Sequence, residues 1–235
     1  MNIEGIKKNV QKIDGWLTDK EGQTLYNLAR CCTDRGVIVE IGSWKGKSTI
    51  WLAAGAAAGQ GKKVYAIDPH TGSPECHLWY GKKIWTFDEF RKNIKAAGLE
   101  RIVIPIVKTS AEAAKEFDQP VELIFIDGDH TYQSVKQDFE LWFPKLIEDG
   151  TIVFHDTGDW APWIGPMILM INHLYPSRKI KKVVVIDSIT AAIKTNNASP
   201  REIIEKFFVF FSWFLKELVS GVIRKTKAIT KSTHH

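Results

Sequence analysis

The stretch VIVEIGSWKGKST, residues 37–49, decides the fold. A short β-branched run ends in a loop bounded by Gly42 and Gly46, and Ile50, Trp51, Leu52 and Ala53 follow before Gly59, so the order is strand, loop, helix. Glycines after a strand let the backbone approach a ligand and aim a helix N-terminus at it. Spacing then narrows the ligand. A dinucleotide fingerprint needs G-x-G-x-x-G, and this loop has only Gly42 and Gly46, which argues against NAD or FAD. A P-loop needs four residues between its first glycine and GK[ST]; Gly42 and Gly46 enclose three. That near miss, with LIFIDGDH at 123–130 placing an Asp after an apolar strand, keeps a P-loop-like nucleotide-binding enzyme as an alternative. Glu40 stands against it, because a carboxylate two residues before the first glycine would repel a triphosphate.

Outward from this stretch the same alternation continues. Thr18 and Glu21 have capping-box spacing ahead of Leu25, Leu28 and Ala29, so a helix leads into the first strand. Strands are expected at 64–67, 102–107, 121–126 and 151–154, with helices at 86–97 and 132–143. Ser110 is placed to cap a short helix through Phe117. Runs at 182–186 and 191–195 read as a hairpin-type pair at one sheet edge. Apolar strands without polar alternation call for a mostly parallel sheet with helices on both faces, a doubly wound Rossmann-like α/β fold. Ligands in such a sheet lie beyond the carboxyl ends of the strands. Glu40, Asp68, Asp127, His155 and Asp156 stand there. The segment 69–85, with Cys76, His77, Trp79, Tyr80 and Trp85, is longer than an ordinary connection and reads as a loop or lid over the site, or as a surface excursion.

With 235 residues, 44% hydrophobic and 25% charged, the chain suits one α/β domain, 1–197, followed by an aromatic helix and basic tail, 198–235. Cys31, Cys32 and Cys76 have no metal-finger spacing and fit a reduced, cytoplasmic setting. The beginning, MNIEGIKKNV, lacks the apolar core of a secretory signal. Ile203, Phe207, Phe211, Phe214, Leu215, Leu218 and Val222 recur at helical spacing, widened by Phe208, Val209, Phe210 and Trp213. The uncharged run 207–215 is nine residues, too short to span a bilayer, which takes ~20. Near Arg224, Lys225 and Lys227 it suits peripheral membrane contact, a homo-oligomer interface, or burial on the protein's own core.

Glu40 to Gly46, E-x-G-x-x-x-G, and VYAIDPH at 64–70 resemble the first and second motifs of class I SAM-dependent methyltransferases. The resemblance implies S-adenosyl-L-methionine as cofactor. Its methionine part would lie against Gly42 to Gly46 with Glu40 assisting, and Ser48 joins the cofactor-binding set. Asp68 would take the ribose, and Ser110, in KTSAEAA, would meet the adenine region. IFIDGDHTYQSVKQDFELWFPKL at 124–146 and GTIVFHDT at 150–157 resemble the family that includes metal-dependent sugar O-methyltransferases, in which D-G-x-H ends strand four and an acidic pair ends strand five. Asp127 and Asp156 match metal-ligand positions, and His130 matches the general base. Asp129 is an alternative base or a helix cap.

Methyl transfer to an alcohol needs the hydroxyl deprotonated or nearly so; a chelated cation lowers its pKa and a nearby histidine takes the proton. His155 stands where relatives carry a second acid. As a metal ligand it weakens the case for Mg2+ or points to a softer ion such as Mn2+, so assistance by a metal stays open beside a metal-free site. The expected acceptor is a hydroxyl of a small molecule or sugar, not nucleic acid, and Trp79 to Trp85 and Trp160 to Trp163 suggest stacking on a ring. A non-catalytic binding module on the same fold is the remaining alternative.

Overall fold

The computed structural model describes residues 2–81, 83–158 and 164–232, with side chains described through residue 216. Helix α1 (Ile3–Val10) and helix α2 (Asp19–Arg30) precede the sheet, and α2 starts at the expected capping box: Thr18 accepts from the Glu21 N–H while Glu21 accepts from the Thr18 N–H. Then come β1 (Val37–Ile41), α3 (Lys47–Ala58), β2 (Val64–Ile67), α4 (Pro74–Tyr80), α5 (Phe87–Ala96), β3 (Val103–Ile106), α6 (Ser110–Glu116), β4 (Val121–Ile126), α7 (Tyr132–Trp142) and β5 (Leu146–Phe154). A short helix α8 (Gly165–Leu169), the hairpin β6 (Ile180–Ile186) and β7 (Ile189–Lys194), and the long α9 (Pro200–Ser232) complete the chain.

The strands form one sheet in the order β3-β2-β1-β4-β5-β7-β6. The pairs from β3 through β5 are parallel, while β7 runs antiparallel between β5 and β6. Every residue of β4 is buried, as a central strand covered on both faces requires. One layer of core holds Leu25, Ile50, Trp51 and Phe90; the other holds Ile124, Trp142, Phe154 and Leu174. β1 is flanked by β2 on one side and β4 on the other, so the crossover direction reverses there and opens a crevice at the strands' carboxyl ends.

Local departures from the expectations have local causes. Ser110 is the first helical residue of α6, not its cap; Thr109 one residue earlier forms a capping box with Glu112. β5 begins at Leu146 rather than 151, because a short 3-10 turn at Phe143–Lys145 delivers the chain straight into the sheet. The segment after β2 contains a helix, α4, capped by Ser73 with Pro74 at its start.

Helix α9 divides its faces. Lys206 and Trp213 are buried, Val209 and Phe210 pack on the core, and Phe210 meets Tyr175 at a ring separation of 4.9 Å. Ile204, Phe207, Phe208, Phe211 and Leu215 stay exposed. The side chains of Leu218, Val222, Arg224, Lys225 and Lys227, and the whole of Trp160 and Trp163, lie outside the described residues. Among the described residues no helix is long and apolar enough to cross a membrane.

Candidate active site

A cavity of about 920 Å³ opens at the carboxyl ends of β1, β2, β4 and β5. Gly42, Ser43, Trp44 and Asp68 line one end; Asp127, His130, His155 and Asp156 line the other.

At the first end the backbone is the material. Gly42 has φ 84°, and a Cβ there would meet the Asp127 carbonyl oxygen at 2.0 Å, so only glycine lets β1 and β4 close at this point. Gly46, at φ 90°, starts α3. Asp68 Oδ2 accepts the N–H groups of Ser43 at 2.9 Å and Trp44 at 2.7 Å, while Oδ1 accepts the His70 N–H at 2.6 Å. The acid that ends β2 therefore pins the glycine loop while still facing the cavity.

Glu40, expected to assist the cofactor, does not line the cavity. Its side chain is fully buried beneath the loop, off the cavity wall, and accepts hydrogen bonds from Ser48 and Thr49. Burial, with Asp127 and Asp68 nearby, pushes its carboxyl up to about 8 against the two hydroxyl donors. Ser48 borders the cavity, but its hydroxyl is committed to Glu40 at 2.6 Å. Ser110 also lines the cavity and accepts from Trp142 Nε1 at 2.9 Å. Beside it is Asp138, raised to about 6 by burial despite a hydrogen bond with Ser110.

The second end is assembled from charged groups on separate elements. His130 Nε2 lies 3.1 Å from Asp156 Oδ2 and 3.7 Å from Asp127 Oδ1, and its Nδ1 lies 2.9 Å from Glu75 Oε2. His155 Nδ1 bridges Asp127 Oδ1 at 3.1 Å and Asp156 Oδ2 at 3.3 Å. On its other side Nε2 faces Ser188 Oγ at 3.4 Å and Glu21 Oε2 at 3.6 Å. Asp156 adopts φ 51°, a left-handed backbone that costs a non-glycine residue about 1 kcal/mol or more and holds the residue at the mouth of the strand.

Burial works against charge on both rings, yet Asp127, Asp156 and Glu75 push His130 up to about 12, and Asp127, Asp156 and Glu21 hold His155 well above the usual histidine range. The carboxyls respond in kind: Asp127 and Asp156 are lowered by the histidines despite their burial, and Glu21 falls to about 2 through His155, Ser188 and the Thr18 N–H. The surrounding carboxylates thus make both rings strong proton acceptors.

The geometry also sorts the expected metal ligands. Asp127, His130 and Asp156 present ligand atoms all within 4.8 Å of one another. His155 is not among these three; it is buried beside the two aspartates, with Nδ1 facing Asp127 and Asp156 and Nε2 facing Glu21. Asp129 is corrected as a cap. Thr131 caps α7, and Asp129 accepts from the Thr131 N–H at 3.0 Å and the Ser134 hydroxyl at 2.7 Å, ties that hold the turn.

The sequence reading missed Glu21 as a site residue, seeing only its capping box, and missed Glu75, Asp138 and Trp16 altogether. For Glu75 a signal existed: Ser73-Pro74 is a helix start, which puts Glu75 in the first turn of a helix above the site.

Residues 39–157 match the model of a family described as a methyltransferase domain, and the chain belongs to that family. An uncharacterized protein of Sinorhizobium fredii is 32% identical over 54% of this chain and 14% of its own length. An uncharacterized protein of Acanthamoeba polyphaga mimivirus is 33% identical over 61% of this chain and 63% of its own. The chain thus spans less than two thirds of either relative. Among solved structures, an O-methyltransferase from Bacillus cereus in complex with SAH shares the fold at a TM-score of 0.60 and 19% identity, covering 82% of this chain and 90% of that one.

Proposed function

We propose that the protein is a SAM-dependent O-methyltransferase that methylates a hydroxyl of a small molecule. The observation that carries this reading is the continuity of the cavity: one space joins the glycine loop and Asp68 to the Asp127, His130 and Asp156 cluster, so a cofactor at one end points its reactive group at an acceptor held at the other. The SAH-bound Bacillus cereus neighbour supports the choice of cofactor. Glu40, buried under the loop, holds the start of α3 through Ser48 and Thr49. Asp68 keeps the loop open to the methionine part and faces the ribose.

The donor set fits a divalent cation, with one oxygen each from Asp127 and Asp156 and a ring nitrogen from His130. Mg2+ or Mn2+ bound there would lower the pKa of an acceptor hydroxyl and fix its oxygen. Without a metal, His130 Nε2, its Nδ1 held by Glu75, takes the hydroxyl's proton as the oxygen attacks the methyl and SAH leaves, and Asp156 accepts the hydroxyl's hydrogen bond. His155 keeps the two aspartates apart and correctly turned. The Trp16 and Trp79 rings, 5.4 Å apart at the rim, supply an aromatic wall suited to a sugar or other ring.

The open face of α9 belongs to the same reading. Five exposed apolar side chains from Ile204 to Leu215, followed in sequence by Arg224, Lys225, Lys227 and Lys231 without an acid among them, suit the surface of an anionic membrane.

Calorimetry with SAM and with ATP tests the assignment. SAM binding alone is expected; binding of ATP alone would favour the P-loop alternative, and binding of neither would leave a non-catalytic module.

A further inference from the structure

We propose that Glu75 is a positioning residue that orients His130 from the lid helix α4, its Oε2 holding Nδ1 so that Nε2 faces Asp127 and Asp156. The inference rests on the methyltransferase reading for its kinetic consequence, though not for its geometry.

Glu75 is 7% exposed, and burying a carboxylate is costly unless a partner compensates. Among the described residues the hydrogen bond that compensates is the 2.9 Å contact with His130 Nδ1; the other oxygen, Oε1, is buried with no partner there. Its place in the first turn of α4 also suits the helix dipole, and its hydrogen bond goes to His130.

An imidazole can flip about its ring bond and exchange its nitrogens, and a partner on one nitrogen decides where the other points. With Glu75 on Nδ1, Nε2 is delivered to 3.1 Å from Asp156. Carboxylate-histidine pairs of this kind fix ring orientation at metal sites generally, and removing the outer partner costs about 10- to 100-fold in affinity or activity.

The position of Glu75 in the chain gives the contact a second meaning. It comes from the segment between β2 and α5, outside the repeating strand-helix framework, and α4 rests on the N-terminal turn and the glycine loop: Tyr80 donates to Asp14 at 3.1 Å, Trp79 meets Trp16 at 5.4 Å and Tyr80 meets Trp44 at 5.6 Å. The contacts that seat α4 over the cavity are the contacts that bring Glu75 onto His130. Covering the site and aiming the imidazole therefore draw on the same contacts.

The test uses the full chain and three variants, E75A, E75Q and E75D. Nitrogen-15 spectra of the histidine rings report the state of His130; calorimetry reports SAM affinity; turnover reports kcat and KM separately. For E75A the His130 ring signals are expected to shift or broaden and kcat to fall about 10- to 100-fold, with SAM affinity and acceptor KM within about twofold. E75Q keeps an acceptor oxygen at the same reach and is expected to restore the ring signals and most of kcat. E75D, one methylene short, should fall between. Unchanged ring signals in E75A would overturn the proposal, as would a loss of kcat that E75Q does not rescue. Should E75A fail to fold, the near-isosteric E75Q and the shortened E75D decide by the same spectra. If the wild-type protein binds no SAM, the methyltransferase reading fails while the ring spectra still judge Glu75.

Discussion

The two ends of the cavity are built by opposite means. The end at β1 and β2 is made mainly of backbone: a single loop, two glycines at positive φ, and N–H groups gathered by Asp68. The end at β4 and β5 is made of side-chain charge drawn from α2, α4 and the termini of two strands. A backbone site is specified by a contiguous motif and fails when a single atom is added. A charge site is specified by tertiary placement and fails in degrees, one partner at a time.

Gly42→Ala should expose that difference most sharply. A Cβ 2.0 Å from the Asp127 carbonyl oxygen, on a residue at φ 84°, cannot be absorbed by a flexible neighbour. Stability in urea titrations is expected to fall by about 3 kcal/mol, with SAM binding lost. A stable, SAM-binding variant would show that the loop and β4 can separate.

His130→Ala probes the other end. Turnover should drop by ~10² to 10⁴ while calorimetric SAM affinity stays nearly unchanged. Full turnover on a confirmed acceptor would move the proton-handling role to one of the aspartates.

A pH comparison sharpens the contrast through Glu40. Its folded-state value, about 8, lies above the ordinary 4.5, so the folded protein keeps a proton that the unfolded chain gives up. Its contribution to stability is fully present below pH 4.5 and is lost as pH rises towards 8, at up to about 1.4 kcal/mol per pH unit. Urea titrations at pH 5 and pH 8 should show Glu40→Gln with a flatter dependence than wild type; identical slopes would mean that Glu40 is ionised in the folded protein. Asp68→Ala, which frees the loop N–H groups and removes the acid proposed to take the ribose, should weaken SAM binding by roughly 1 to 3 kcal/mol.

The smallest effect on chemistry is expected at α9. Because Val209, Phe210 and Trp213 pack inward, deleting the helix would bare the core, so the outer face is better tested by changing Phe207, Phe208 and Phe211 to Ser. SAM affinity should be unchanged and co-sedimentation with anionic vesicles reduced. Retained vesicle binding would remove the membrane from the account, and a shift from dimer to monomer would assign the face to a second copy.

What the sequence made legible follows the same division. Val37 to Gly46 announced strand, loop and helix because hydrophobic period and glycine spacing are local properties. Asp127 and Asp156 were found as strand-end residues and His130 through the family resemblance, and the structure brings their ligand atoms together. The orientation of Glu40 was not legible: alternation along a strand buried on both faces does not say which polar side chain turns under a loop. Nor were Glu75 and Glu21, whose contacts with the histidines span 55 and 134 positions and carry no local period.

The reach of Glu21 has one more result. Its carboxylate accepts the N–H and hydroxyl of Ser188, in the turn between β6 and β7, across 167 positions of sequence. Helix α2 is made before the sheet begins, and that turn only after all five parallel strands are complete. A nascent chain can thus lay down its glycine loop long before it can close the wall behind His155, and chemistry at this site has to wait until synthesis of the hairpin is done.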